Sequence, residues 1–170
     1  MAAGVNRRAF LNGAYVSKDV SSIRPPGALS TGFETACTAC DACHDACPEG
    51  IIVLDGARRP ELNLSLGACT FCGECAAACP SDALSAERIA DWPWRAKPNP
   101  SCMSMNGVSC RICEDACGVG AIRFRLQTGG RAEPVIDQET CTGCGACAAV
   151  CPAHAVDFER RPALNAETAA

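Results

Sequence analysis

Apolar residues in this chain come in short bursts rather than long stripes. The longest plain aliphatic run is Ile51-Ile52-Val53-Leu54, the length of a strand. Glu61 to Leu64 follows as a second short strand, and Asp55-Gly56 between them is a turn-former, so a hairpin is predicted there. Ala121 to Gln127 alternates with period two, Gly129-Gly130 turns the chain, and Pro134 to Ile136 returns. That pattern predicts a second hairpin. No stretch approaches the roughly 18 consecutive apolar residues of a membrane span, so a soluble protein is expected.

Composition changes this picture. Sixteen of the 170 residues are cysteine and only 5% are aromatic. The 48% hydrophobic fraction counts those cysteines, so a conventional core is thin and something else must hold the fold together. The formal charge of −4, with no cluster of lysine or arginine, argues against nucleic-acid binding.

The cysteines repeat. "CTACDACHDACP" holds Cys37, Cys40, Cys43 and Cys47; "CTFCGECAAACP" holds Cys69, Cys72, Cys75 and Cys79; "CTGCGACAAVCP" holds Cys141, Cys144, Cys147 and Cys151. Each obeys the spacing two, two, three, then proline: Pro48, Pro80 or Pro152. A further group departs from it. Cys110, Cys113 and Cys117 keep the tail of the rule, but Cys102 lies eight positions before Cys110 and Gly118 stands where proline would be.

Three cysteines at i, i+3 and i+6 with a later Cys-Pro form the bacterial ferredoxin signature, in which the fourth cysteine serves the partner cluster. The small residues between them let backbone N–H groups approach the sulfurs. Applied here, the exchange predicts four [4Fe-4S] clusters. One takes Cys37, Cys40, Cys43 and Cys79; the second takes Cys69, Cys72, Cys75 and Cys47. The third takes Cys102, Cys110, Cys113 and Cys151; the fourth takes Cys141, Cys144, Cys147 and Cys117. Every cysteine is used. A disulfide framework does not repeat this spacing with a proline behind it, and zinc would strand the third cysteine of each run. For the irregular group, a three-iron cluster or an empty site stays open.

The repeats pair into two units. "DWPWRAKPNP" carries three prolines in ten residues and reads as a boundary. The expectation is an α+β fold of two tandem bacterial 2[4Fe-4S] ferredoxin-like domains, small and stapled by their clusters. An irregular N-terminal arm spans 1–32, the domains 33–96 and 97–160, and a tail 161–170. The chain without iron is expected to be largely unfolded. Thiolates awaiting iron need a reducing compartment, which favours the cytoplasm.

The remaining chemistry is sparse. His44 and His154 read as exposed fillers beside saturated ligand sets, Glu114 and Asp115 as solvated, and Met103 and Met105 as packing on a cluster loop. Trp92 and Trp94 are expected to pack between the two domains. There is no phosphate-cradling glycine loop, no nucleophile with a base and no paired catalytic carboxylates. The reading is an electron-transfer protein, not an enzyme.

Near the N-terminus, "NRRAFLNGAYV" pairs Arg7 and Arg8 with Phe10 and Leu11, close to the core of a twin-arginine export signal. An export signal needs an apolar region of about 7–15 residues next; here Asn12, Gly13, Ser17, Lys18 and Asp19 interrupt it, so export is not expected. Phe10, Leu11 and Val16 could pin this arm onto the first domain, or the arm could be a docking element.

Taken together, the Arg7-Arg8 arm, Arg24-Pro25-Pro26, "CTACDAC" and the eight-residue step from Cys102 to Cys110 resemble the NapF family. These are ferredoxin-type accessory proteins of the periplasmic nitrate reductase system. The resemblance covers nearly the whole chain and implies the same sixteen cysteines as ligands of four [4Fe-4S] clusters. It also implies a cytoplasmic protein that contacts the precursor of the catalytic subunit NapA before export and assists its maturation. Two other functions fit the motifs: a general polyferredoxin carrier between redox enzymes, and a periplasmic or membrane-complex electron-transfer subunit.

Overall fold

The computed structural model describes residues 22–161. Arg7, Arg8, Phe10, Leu11 and Val16 of the N-terminal arm, and residues 162–170, lie outside the described residues.

The elements are short. In the first unit they are α1 (Phe33–Ala36), α2 (Ala42–Asp45), β1 (Ile52–Leu54), β2 (Pro60–Leu62) and α3 (Glu74–Ala77). β1 and β2 form the first expected hairpin, antiparallel, with Ile52 opposite Leu62 and Leu54 opposite Pro60. The Asp55 carboxylate shapes its turn, accepting from the Ala57 N–H at 2.8 Å and the Arg59 N–H at 2.9 Å. Pro60 donates no backbone bond, which a two-stranded sheet tolerates because both strands are edges.

Residues 22–32, expected at the end of the arm, pack on this unit. The Leu62 N–H donates to the Ile23 carbonyl at 2.7 Å, Leu29 N–H to Ala83 at 3.0 Å, and Ala28 bridges Leu84. These bonds tie the beginning of the unit to its end.

The second unit contains β3 (Trp94–Pro98), α4 (Ile112–Asp115), β4 (Ile122–Leu126), β5 (Ala132–Ile136), α5 (Ala146–Ala149) and β6 (Val156–Arg160). β4 and β5 make the second expected hairpin, Ile122 opposite Ile136. β3 runs through the division expected at 96/97 and pairs antiparallel with β6, from Trp94 opposite Arg160 to Pro98 opposite Val156. The prolines that suggested a linker flank this strand or end it.

Apolar burial is modest. Phe33, Ile51, Ile52, Leu62, Leu64, Leu84, Trp92 and Trp94 anchor one cluster, while Ala96, Ala121, Ile122, Cys141 and Cys147 form a smaller one. Trp94 belongs to a strand of the second unit yet is buried with the first core, so the two units share a packed seam. No described helix is long and apolar enough to cross a membrane.

Candidate iron–sulfur centres

Each regular cysteine run wraps in one way. The residues flanking its second cysteine adopt left-handed backbone: Ala39 (φ 53°) and Asp41 (64°) around Cys40, Phe71 (55°) and Gly73 (84°) around Cys72, Gly143 (73°) and Gly145 (89°) around Cys144. A non-glycine residue in this region is strained and persists only when its surroundings demand it. Alternating the backbone in this way turns successive N–H groups to one side, forming a nest that favours anionic sulfur. A four-residue helix then carries the third cysteine or the residues beside it. In the irregular run Arg111 sits at φ −137°, so this feature is lost there.

The fold gathers cysteines that are distant in sequence. Cys37, Cys40, Cys43 and Cys79 line one cavity, together with Phe33, Pro60 and Leu84. Cys47, Cys69, Cys72 and Cys75 line another, walled by Ile51, Ile52 and Phe71. Cys102, Cys110, Cys113 and Cys151 line a third with Met103, Ile122 and Phe124, so the displaced Cys102 reaches the same cavity as its late companions. Cys147 lies among Cys141, Cys144, Cys113 and Cys117. Among the described residues no three donors converge on a point fit for a single metal ion. The thiols instead surround volumes with apolar walls, which fits a multi-iron group and not the tight four-donor shell of zinc.

The fourth cysteine of a run receives its own hydrogen bonds. The Ala121 N–H donates to Cys117 Sγ at 3.3 Å and the Ala155 N–H to Cys151 Sγ at 3.2 Å, in both cases four residues on. Cys79 Sγ lies 3.6 Å from Ser81 Oγ. Burial alone would push the Cys79 thiol up, but bonds from the Ser81 hydroxyl and from the Ser81, Leu84 and Ala83 N–H groups outweigh it and lower it. The third cysteines behave oppositely. Burial, joined by neighbouring thiols, pushes Cys75 and Cys113 up to about 11 and Cys147 up to about 12. A cationic iron core reverses this, since thiolate is the form that ligates.

Other residues singled out from the sequence take minor parts. His44 is half exposed, its Nδ1 2.9 Å from the Asp45 carboxylate. His154 is exposed and Asp115 is exposed. Glu114 is half-buried and pairs with Arg111 at 2.7 Å. Met103 lines the third cavity and Met105 does not. Trp92 and Trp94 are buried. N–H donors to sulfur were expected from the small residues of the runs, but the left-handed pairs and the particular donors Ala121 and Ala155 were not read from the sequence. Gly73, Gly143 and Gly145 at matching motif positions were the available signal.

The 4Fe-4S dicluster domain model matches residues 36–83 and again 108–155. The second match begins after Cys102, the cysteine that the fold returns to the third cavity. The ferredoxin-type protein NapF of Haemophilus influenzae is 37% identical over 160 residues, covering 88% of this chain and 91% of that protein. The NapF protein of Escherichia coli K12 is 36% identical, covering 94% of this chain and 97% of its own length. This chain belongs to the NapF family of ferredoxin-type proteins. A methylamine utilization ferredoxin-type protein MauM of Paracoccus denitrificans is a more distant relative, 33% identical over 78% of this chain. As a NapF-type protein, the chain is an iron–sulfur protein whose sixteen cysteines, in two tandem dicluster units, fit four [4Fe-4S] clusters.

Proposed function

We propose that this NapF-type chain is a cytoplasmic, non-catalytic electron-transfer accessory protein that binds the NapA precursor before export and assists its maturation. The clusters supply one-electron storage. Their ligands on this reading are four sets: Cys37, Cys40, Cys43 and Cys79; Cys69, Cys72, Cys75 and Cys47; Cys102, Cys110, Cys113 and Cys151; Cys141, Cys144, Cys147 and Cys117. Three cavities that gather the first three sets, and the neighbours of Cys147 in the fourth, support it. The chain's N–H groups then stabilise the thiolates and so tune the potential.

The observation that carries this reading is the exposure of Cys40 and Cys72, each at the middle of its loop. A set open to the surface suits electron exchange with a docked protein. The NapF name of the relatives supports the choice of the nitrate reductase system. Arg7 and Arg8 are assigned to docking with the precursor.

A pull-down with the NapA precursor, using the iron-loaded chain, tests this. Specific enrichment that falls on Arg7→Ala/Arg8→Ala substitution is expected. Absence of enrichment favours a general carrier, and recovery of the chain from the periplasm favours an exported subunit.

A further inference from the structure

One cysteine loop from each unit meets at the seam. The Cys69 N–H, at the start of the second run, donates to the Cys144 carbonyl of the fourth run at 2.7 Å. Beside this bond the fourth run has glycine where a side chain would collide. A Cβ at Gly145 would lie 2.7 Å from Leu64 Cδ2, and one at Gly143 would overlap the Trp94 carbonyl and approach Trp92 Nε1 at 2.8 Å. The close approach of these loops therefore depends on the absence of side chains.

Trp92 occupies the seam. Its ring meets Phe71 of the second run edge-on, centroids 6.1 Å apart and planes at 74°. Its Nε1–H is buried against Gly143 and has no hydrogen-bond partner among the described residues. A buried indole N–H without an acceptor is costly, and the loop it abuts at Gly143 belongs to the fourth run, whose sulfurs are acceptors in a loaded chain. Within each unit the sets already adjoin: α2 with Cys43 packs on α3 with Cys75, and α4 with Cys113 packs on α5 with Cys147.

We propose that the second and fourth cysteine sets form the electron junction between the two units, with Trp92 as its hydrogen-bonding wedge, so that the four sets make one relay in the order first, second, fourth, third. The first and third sets are then the two ends of the relay, and the exposed Cys72 gives the second set its own opening to the surface. This rests on the electron-transfer reading above. A reduced set passes one electron to its oxidised neighbour, one being oxidised as the other is reduced, with no proton or bond moved. A one-electron reductant fills the relay, dithionite in the experiment.

The test uses the full chain, loaded anaerobically and reduced with dithionite, followed by low-temperature EPR and iron analysis. In Cys40→Ala/Cys43→Ala, which removes the first set and leaves about twelve iron atoms, the second set should keep a signal broadened by the fourth. The mirror variant Cys102→Ala/Cys110→Ala should keep the fourth set broadened by the second. A narrow, isolated signal from the surviving partner in either variant overturns the relay. Trp92→Phe retains the ring against Phe71 and removes the N–H; one cluster potential should move to a more negative value with iron content unchanged. Four unmoved potentials overturn the role of Trp92. An unaltered chain holding far fewer than about sixteen iron atoms would defeat the cluster assignment itself, a distinct failure.

Discussion

Arg24 Nη1 lies 3.2 Å from Asp55 Oδ2, joining the segment that enters the first unit to the turn of its hairpin. The same guanidinium donates to the Pro60 carbonyl at 3.0 Å and sits 5.0 Å over the Phe33 ring. Its side chain is only 16% exposed, so the pair is worth more than a surface ion pair. Arg24→Ala should lower stability by about 1–3 kcal/mol, seen as a drop in Tm of the iron-loaded chain.

Asp55 adds a pH signature. Burial alone would raise its pKa, but the Arg59 and Ala57 N–H groups and the Arg24 guanidinium hold it below the usual carboxylate range. A lowered folded pKa gives stability that is present above the unfolded value, near 3.9, and lost as pH falls toward the folded one. Asp55→Asn should therefore lower Tm most near pH 6–7 and least below about pH 4, as thermal melts across that range would reveal.

Iron removal should unfold the chain. The apolar clusters are small, and the sixteen thiols are free of disulfides. Chelation under reducing conditions is expected to abolish most of the circular dichroism signal, and reloading to restore it. Raising the pH of the iron-free chain should not help. Cys75, Cys113 and Cys147 hold their protons more tightly when gathered than when unfolded. Ionisation above about pH 8.5 thus favours the unfolded state.

Gly27 offers a backbone test. Its φ is 86°, and a Cβ there would overlap the Ser85 carbonyl. Its own carbonyl accepts from the Ser85 N–H at 3.0 Å and from Arg88 Nε at 3.1 Å. Gly27→Ala should cost about 1–3 kcal/mol from strain plus the displacement of Ser85. Iron loss on mild heating should be concentrated in the first two sets, measurable as the iron retained per chain.

Much of the site was legible because cysteine spacing is a direct record of wrapping: three thiols on one loop, the fourth too far along to return. The hairpins at 52–62 and 122–136 were legible because alternation and turn residues coincide. The strand Trp94–Pro98 was not. Its prolines argued for a linker, and its partner Val156–Arg160 lies about sixty residues away, where local pattern carries no information. The left-handed Ala39 and Phe71 were equally hidden, since their residue types do not prefer that backbone, whereas Asp41 is a type that tolerates it. The surroundings impose it.

The pairing of β3 with β6 also sets an order of events. The first unit can close its Ala28–Leu84 tie as soon as residue 84 leaves the ribosome, with both its cysteine runs already complete. β3 emerges soon afterwards but waits for β6, about sixty residues further along the chain. The nascent protein therefore presents one unit ready to take up iron while the other still lacks its closing strand.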